Sequence, residues 1–267
     1  MRIGFIGAGK MALALARGFS EKINPTAVLA SCPPSDDLLL KQFRDHGFDT
    51  YNSNEFVARN SDVVIFATKP FVFPIIMKEL KHVFTVNQLL ISIAAGLKIN
   101  LIEKSLKDGD KLKIMRVMPN TPSLVNEGVT VYAPNKQCKS EEEEIVERLF
   151  SSVGRVYKVN ETQIDAVTGI SGSGPAYMFL IIEAMADAGV RQGLPRDFAY
   201  KLAAQTMVGA GRMVLETGDH PAVLKDAVCS PAGSTIEALD TLEKNGMRSS
   251  IMKAVEAATN RCKELGN

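Results

Sequence analysis

The chain of 267 residues is poor in the residue types that build metal sites and disulfide frameworks. It contains three histidines, four cysteines and no tryptophan. The histidines form no pair at ligand spacing, so we predict no histidine-based metal site and no bound metal. The cysteines lie far apart and form no CxxC motif, which favours neither a zinc site nor a set of disulfides. This use of cysteine is typical of the reducing cytoplasm.

A charge excess and long apolar runs are also missing. Lys plus Arg number 31 and Asp plus Glu number 30, so there is no basic surplus for nucleic acid or an anionic membrane. No apolar run approaches the roughly 20 residues that span a bilayer. The first candidate strand begins so close to Met1 that we expect no targeting peptide. With 46% apolar and 23% charged residues, the composition indicates a soluble globular protein with small-molecule partners.

A glycine-rich turn stands near the start of the chain. The apolar strand Arg2 to Ile6 leads directly into Gly7-Ala-Gly9-Lys-Met-Ala12, a G-x-G-x-x-A fingerprint that opens a helical run. Gly7 permits the tight turn, Gly9 lets a pyrophosphate approach the backbone, and Ala12 allows close packing of helix on strand. The N–H groups at the start of the helix then suit the phosphates. A purely structural glycine turn is the alternative, and the position between strand and helix favours dinucleotide binding.

The second predicted strand, Ala27 to Ser31, bears on the choice of cofactor. It ends in Ser31-Cys32-Pro33, where an NAD-specific site usually carries an acidic residue for the ribose 2′-hydroxyl. Without that carboxylate a 2′-phosphate is not repelled, and Ser31 is available as a donor to it. We therefore expect NADPH as the cofactor and admit NADH, since no arginine stands there to clamp the phosphate.

Two further runs, Asp62 to Pro70 and Leu89 to Gly96, are apolar until their last residues and predict parallel strands that are buried on both faces. Ligands bind beyond the carboxyl ends of such strands, so Ala67 to Pro70 and Ala94 to Gly96 are expected to line the cofactor cleft. Each candidate has a plain alternative: Lys69 as a solvated strand-end lysine, Asn54 as a helix N-cap, and Asn120, between two prolines, as part of a rigid turn.

The hydrophobic period changes at Asp165 to Tyr177. Before it, strands and helices alternate, with later strands at Lys113 to Met118, Val129 to Tyr132 and Arg155 to Val159; after it, the period is helical throughout. We predict an α/β fold with two domains, a Rossmann-type doubly wound sheet over 1–160 and an all-helical dimerisation and substrate domain over 161–267. Several of the later helices are apolar on more than one face, which favours a dimer interface.

A second motif, Pro231-Ala-Gly-Ser-Thr235, opens a helix in the second half of the chain. Free N–H groups at a helix start suit the carboxylate of a small amino acid. The Thr235 hydroxyl could hydrogen-bond a ring nitrogen of such a substrate. Alternatively, Ser234 or Thr235 is simply the helix N-cap.

Several motifs together resemble Δ1-pyrroline-5-carboxylate reductase, the proline-forming family, over essentially the whole chain. They are Gly4 to Gly9, Ala67 to Pro70, Ala94 to Gly96, Met118 to Pro122, Asp165 to Tyr177 and Asp226 to Ile236. The resemblance implies NAD(P)H-dependent reduction of L-1-pyrroline-5-carboxylate to L-proline, and self-association of the helical domain as a dimer or as a larger ring of dimers. The chain departs from the family pattern at Cys32, Ala227 and Cys229, where polar residues are expected.

The glycine fingerprint and the resemblance together give the expected site residues. For the substrate these are Glu161, Val228, Gly233, Ser234 and Thr235, with Thr235 as the catalytic residue. For the cofactor they are Ile6, Gly7, Ala8, Gly9, Lys10, Met11, Ser31, Cys32, Asn54, Ala67, Thr68, Lys69, Pro70, Ala95 and Asn120.

Two other functions fit parts of the pattern. A β-hydroxyacid dehydrogenase shares the architecture but needs a catalytic lysine on the interdomain helix, and Ser171 to Ala188 contains none. A non-enzymatic nucleotide sensor needs an effector surface such as a basic DNA-reading helix, and the sequence shows no such helix.

Overall fold

A computed structural model describes residues 1–266. Its eight strands are β1 (Arg2–Ile6), β2 (Ala27–Ser31), β3 (Asp49–Tyr51), β4 (Val63–Phe66), β5 (Leu89–Ser92), β6 (Lys113–Met118), β7 (Gly128–Pro134) and β8 (Gly154–Lys158). Its α-helices are α1 (Lys10–Ile23), α2 (Asp37–Arg44), α3 (Asn54–Arg59), α4 (Phe73–Leu80), α5 (Ile99–Ser105), α6 (Ser140–Ser151), α7 (Ile164–Val167), α8 (Gly174–Arg191), α9 (Arg196–Thr217), α10 (Pro221–Ala227), α11 (Ser234–Lys244) and α12 (Met247–Leu265).

The strands form one sheet in the order β3-β2-β1-β4-β5-β6-β7-β8. The first six strands are parallel and follow the order 3-2-1-4-5-6 of a dinucleotide-binding fold. Successive strands are added on one side of β1 up to β3 and on the other side from β4 onward, so the strand order reverses between β1 and β4. This confirms the predicted α/β class and its doubly wound sheet.

The direction of the last two strands was not predicted. β7 runs antiparallel to β6, and β8 runs parallel to β7. The segment 119–127 between β6 and β7 explains the reversal, because a parallel crossover needs roughly a dozen residues or more. A five-residue 3₁₀ turn at Thr121–Val125 takes up most of that segment. The short connection is a signal that the sequence already contained.

Helices cover both faces of the sheet. One face packs apolar residues of α1, α2 and α6 against the strands, and the rings of Phe19 and Phe150 meet edge to face at 5.4 Å. The other face packs α3, α4 and α5 against strand residues such as Phe66 and Leu90. Because both faces are covered, β4 and β5 are buried along their whole length, as their unbroken apolar sequences predict.

The chain divides into two compact units. The first comprises residues 1–173 together with the residues from Glu256 onward, and the second comprises Gly174 to Val255. The first unit therefore contains the sheet, the turn at Glu161–Gln163, the short helix α7, the π-helical segment Thr168–Gly172 and the last part of α12.

The second unit has little interior of its own. Its longest helices, α8 and α9, bury only small residues, namely Gly174, Ala186, Ala199 and Ala203. Large side chains such as Phe179, Leu180 and Leu215 are 64%, 66% and 56% exposed. Among the described residues, no helix combines the length and apolarity needed to cross a bilayer.

Candidate functional site

Four strand ends lie side by side at one edge of the sheet. Ile6 of β1 is in register with Ser31 of β2 and Phe66 of β4, and Phe66 with Ser92 of β5. The chain therefore brings the glycine turn, Cys32, Ala67 to Pro70 and Ala94 to Gly96 to the same edge. These are residues that the sequence predicted to bind the cofactor, and the edge spans the point where the winding of the sheet reverses.

Gly7 and Gly9, the two glycines of the fingerprint, are glycine for different structural reasons. Gly7 has φ +100°, and a Cβ there would lie 2.8 Å from Thr68 Cγ2 and 2.9 Å from the Ala67 carbonyl oxygen. Gly7 is therefore required by the fold itself. Gly9 has φ −72°, and a Cβ built on it meets nothing within 4 Å. The fold leaves open space beside Gly9, as expected where a ligand approaches the backbone.

Two unsatisfied features face this edge. Helix α1 begins at Lys10 with Gly9 as its N-cap, and no side chain caps it and no acidic residue stands in its first turn. In addition, Thr68 Oγ1 is buried without a hydrogen-bond partner among the described residues. A buried hydroxyl without a partner is costly unless a ligand or water satisfies it. The residues present thus fit the phosphates and polar groups of a dinucleotide.

The end of β2 is a hydrogen-bonded cluster. Ser31 is fully buried, and its hydroxyl donates to Asn54 Oδ1 at 2.8 Å. The Asn54 amide in turn donates to Glu79 Oε2 at 2.9 Å. A bond from Ser31 to a 2′-phosphate would have to replace its bond to Asn54. The N-cap alternative for Asn54 is wrong, because Ser53 Oγ caps α3 by accepting from the Phe56 N–H.

Cys32 follows Ser31 and is also buried, with 5% of its surface exposed. Its thiol donates to Asp36 Oδ2 at 3.7 Å. Burial raises the pKa of the Cys32 thiol, and the Asp36 carboxylate also raises it, while a hydrogen bond from the Ala8 N–H lowers it. The thiol therefore stays neutral at pH 7 and acts as a hydrogen-bond donor.

The segments after β4 and β5 differ in exposure. Lys69 is exposed, with Nζ 5.9 Å from the centre of the Phe71 ring, and Pro70 begins a 3₁₀ turn. Ala95 is partly exposed beside Gly96, which has φ +78°. A Cβ on Gly96 would lie 2.8 Å from the Cys262 carbonyl oxygen, so this glycine is needed where the end of α12 packs.

Asn120 is 7% exposed and already holds two segments together. Its Oδ1 accepts from the Val129 N–H at 2.9 Å, and its Nδ2 donates to the Ser171 carbonyl at 3.1 Å. The amide thus fastens the turn after β6 to β7 and to the π-helical segment. A contact with the cofactor would use the second N–H of the same amide.

Glu161 belongs to a network of charges in the first unit. Its Oε1 accepts from the Ile99 N–H, at the start of α5, at 2.7 Å and lies 3.7 Å from Arg116 Nη1. Arg116 is 2% exposed and donates to Asp165 Oδ1 at 2.5 Å. The Cys262 thiol also donates to Asp165 Oδ1, at 3.4 Å. Glu161 is therefore a capping residue of α5 that is oriented by a buried arginine.

The predicted substrate motif lies in the second unit, at the start of α11. Gly233 is the N-cap, and no side chain caps the helix. The alternative that Ser234 or Thr235 is the N-cap is therefore wrong. Ala232 has φ +54°, a left-handed conformation that costs a non-glycine residue about 1 kcal/mol or more.

The other residues of this motif lie as follows. A Cβ on Gly233 would lie 2.3 Å from Ser230 Oγ, so the Ser230 side chain would have to rotate away to admit a larger residue. Ser234 is exposed and Thr235 partly exposed. Val228, at the end of α10, is 63% exposed. The strained turn thus leaves the first N–H groups of α11 without a capping side chain.

Sequence reasoning missed several of these groups. The ion pair of Arg116 with Asp165 joins residues far apart in the chain, and no local sequence pattern predicts it. Asp36 reaches Cys32 through the local 3₁₀ turn Pro34–Asp36, whereas Glu79 reaches Asn54 only through a tertiary contact. The cap at Ser53, by contrast, had a signal, since a serine directly before a helical run is a frequent N-cap.

Two family models match the chain. Residues 161–265 match the model described as pyrroline-5-carboxylate reductase dimerisation, and residues 2–96 match the model described as NADP oxidoreductase, coenzyme F420-dependent. The first match supports self-association of the chain.

Full-length relatives are similar over nearly the whole chain. Pyrroline-5-carboxylate reductase 2 of Bos taurus is 45% identical over 268 residues, which cover 99% of this chain and 84% of the relative. Pyrroline-5-carboxylate reductase of Arabidopsis thaliana is 46% identical over 266 residues, which cover 99% and 95%.

Solved structures agree with these relatives. The crystal structure of Plasmodium falciparum pyrroline carboxylate reductase with NADP bound has a TM-score of 0.90 and 36% identity, and the match covers 100% of this chain and 98% of that one. A pyrroline-5-carboxylate reductase from Coxiella burnetii has a TM-score of 0.87 and 38% identity, with 99% and 98% covered. The chain belongs to the pyrroline-5-carboxylate reductase family.

Proposed function

We propose that this protein is an NAD(P)H-dependent reductase that converts L-1-pyrroline-5-carboxylate into L-proline, the last step of proline biosynthesis. The observation that carries the cofactor half is the edge of the sheet where Gly9 leaves open space and Thr68 presents an unsatisfied hydroxyl. The substrate class rests on family membership. The bound cofactor supplies the hydride, which adds to the carbon of the C=N bond while the ring nitrogen keeps its proton from solvent.

We propose that the cofactor is held by residues at the strand ends of the first unit. The N–H groups at the start of α1, from Lys10 and Met11, bind the pyrophosphate, and Ile6 to Gly9 form the turn beneath it. The buried Thr68 hydroxyl hydrogen-bonds the cofactor. Further contacts come from Ser31, Cys32, Asn54, Ala67, Lys69, Pro70, Ala95 and Asn120.

The substrate carboxylate is held by the uncapped start of α11. The N–H groups of Ser234 and Thr235 donate to it, and the positive end of the helix dipole stabilises its charge. Gly233 and Val228 shape the turn beside it. The Thr235 hydroxyl contacts the ring nitrogen and steadies it as the imine becomes an amine. Glu161 also contributes near the substrate, oriented by Arg116.

A protonated cyclic imine accepts hydride readily, so positioning contributes more here than acid catalysis. No described residue needs to form a covalent bond with the substrate. The proposal also needs no side chain to take a proton from the substrate, unlike a β-hydroxyacid dehydrogenase, which needs a catalytic lysine for its hydroxyl substrate.

A direct assay tests the reaction. Purified protein is incubated with the imine and NADH or NADPH, and in parallel with a 3-hydroxy acid and the oxidised cofactors. We expect reduced cofactor to be consumed only with the imine, with L-proline formed in equal amount. Turnover of the hydroxy acid would favour the dehydrogenase, and binding of cofactor without turnover of either substrate would favour a sensor.

Three organisational features remain part of the proposal. Residues 1–160 serve the cofactor, and 161–267 serve the substrate and self-association, which happens through the exposed apolar helices of the second unit. The dimers assemble further into a ring.

The protein works in the cytoplasm, in line with its four free cysteines. Light scattering on a sizing column measures the assembly, and cell fractionation tests the location.

A further inference from the structure

A carboxylate lies beside the glycine turn at the end of β2. Asp36 Oδ2 accepts a hydrogen bond from the Cys32 thiol at 3.7 Å. Cys32 directly follows Ser31, whose carbonyl oxygen accepts a hydrogen bond from the Gly7 N–H of the glycine turn at 2.9 Å. The Asp36 carboxylate is therefore bonded through Cys32 to the strand end that carries the glycine turn, where the pyrophosphate and the adjoining ribose are expected.

A second carboxylate reaches the same strand end from α4. Glu79 Oε2 accepts from the Asn54 amide at 2.9 Å, and Asn54 Oδ1 accepts from Ser31, the last residue of β2. Asp36 and Glu79 thus approach the end of β2 from two different elements, each through one uncharged side chain.

The cations of α2 and α3 pair with other carboxylates. On α2, Lys41 pairs with Asp45 at 2.9 Å and Arg44 pairs with Asp37 at 3.0 Å. On α3, Arg59 pairs with Glu55 at 2.8 Å. Within the described residues, no lysine or arginine pairs with Asp36 or Glu79. The end of β2 therefore carries a negative charge without a paired cation.

We infer that Asp36, held by Cys32, is a specificity-determining residue that makes this reductase prefer NADH to NADPH. The inference rests on the proposed cofactor site. A ribose 2′-hydroxyl can donate to a carboxylate, whereas a 2′-phosphate brings about two negative charges toward it and toward Glu79. The sequence alone led to the opposite preference, because it showed no acidic residue at the strand end itself. The 3₁₀ turn Pro34–Asp36 places the acidic residue Asp36 beside the end of β2.

Binding of nucleotide fragments tests the inference without turnover. Calorimetric titration compares 5′-AMP with adenosine 2′,5′-bisphosphate, and fluorescence titration compares NADH with NADPH. Because Asp36 is exposed and its field is screened, we expect the wild-type protein to prefer the form without the 2′-phosphate by about tenfold. Asp36→Asn should reduce that preference to about twofold or reverse it, mainly by tighter binding of the 2′-phosphate.

Matched variants separate this role from general charge and from folding. Asp37→Asn changes the charge of the adjacent residue, whose partner is Arg44, and should leave the preference unchanged. Cys32→Ser keeps a hydrogen-bond donor to Asp36 and should keep the preference for NADH over NADPH. Cys32→Ala removes the donor and should reduce that preference. A thermal melt of each variant confirms that it is folded. Higher ionic strength should narrow the wild-type preference and leave that of Asp36→Asn nearly constant.

Other outcomes overturn the inference. They are tighter wild-type binding of NADPH and of the bisphosphate, equal effects of Asp36→Asn and Asp37→Asn, or no binding of any of these nucleotides. The last would also end the cofactor half of the proposed function. A preference for NADH that depends on Asp36, in a protein that does not reduce the imine, would leave the inference standing and reject the proposed reaction.

Discussion

At the scale of single residues, the two glycines of the fingerprint separate folding from binding. Gly9→Val places its side chain in open space, so we expect a melting temperature close to wild type. The same side chain occupies the space beside the start of α1, so affinity for NADH and NADPH should fall by at least about a hundredfold. Thermal melts and fluorescence titration measure the two effects.

Gly7→Ala is the matched control. It forces an alanine to φ +100° against Thr68 and the Ala67 carbonyl, so it should cost at least about 1–2 kcal/mol of unfolding free energy. If Gly9→Val bound cofactor normally, the space beside Gly9 would not be the pyrophosphate site.

Thr235 tests the substrate half of the site. Because Gly233 is the N-cap of α11 and no side chain caps that helix, Thr235→Ala should leave stability nearly unchanged. If its hydroxyl bonds the ring nitrogen more strongly in the transition state, both kcat and kcat/KM should fall by about tenfold. Thr235→Ser, which keeps the hydroxyl, should recover most of the loss. A variant with full kcat would remove Thr235 from the catalytic role.

At the scale of elements, the start of α6 gives a prediction about pH. Glu142 is 5% exposed, and its carboxylate accepts from Lys113 Nζ at 2.6 Å and from the Lys139 N–H at 2.9 Å. Burial acts to raise the pKa of Glu142, but these hydrogen bonds and the Lys113 charge outweigh it and leave the pKa below its usual value. The carboxylate therefore stabilises the fold above the unfolded-state pKa of about 4.3.

Glu142→Gln should lower the unfolding free energy at pH 7 by about 1–3 kcal/mol, because it leaves Lys113 without its partner. The difference from wild type should shrink as the pH falls through the lowered pKa, where the native carboxylate also becomes neutral. Urea unfolding at several pH values measures it. Glu141→Gln, on the exposed side of the same first turn, should change stability by only a few tenths of a kcal/mol. A difference that stayed constant down to low pH would contradict this account.

At the scale of the whole molecule, the helical unit lacks a core large enough for its apolar side chains. Leu180 and Phe179 of α8 are 66% and 64% exposed in a single chain. Leu180→Asp should therefore weaken self-association, since an unpaired charge in a dimer interface costs about 2 kcal/mol or more per copy. Light scattering on a sizing column should show smaller assemblies. Leu38→Asp, on the 72% exposed Leu38 of α2, is the control and should leave the assembly unchanged. Equal assembly of both variants would place the interface elsewhere.

The sequence by itself determined the elements that depend on local pattern. Unbroken apolar runs predicted β4 and β5, the glycine fingerprint predicted the turn between β1 and α1, and the change to helical period predicted the later helices. Strand β3 was not predicted, because its three residues, Asp-Thr-Tyr, form no apolar run. This strand is stabilised by pairing with β2.

Only the tertiary structure decided how distant side chains meet. The buried pair of Arg116 with Asp165 and the bond of Asn54 to Glu79 near the end of β2 both depend on contacts between separate elements. A strand or helix follows from the period of a few neighbouring residues. The charge at a binding site is instead the sum over every element that reaches it, and a carboxylate on the next turn can supply what the strand end itself lacks.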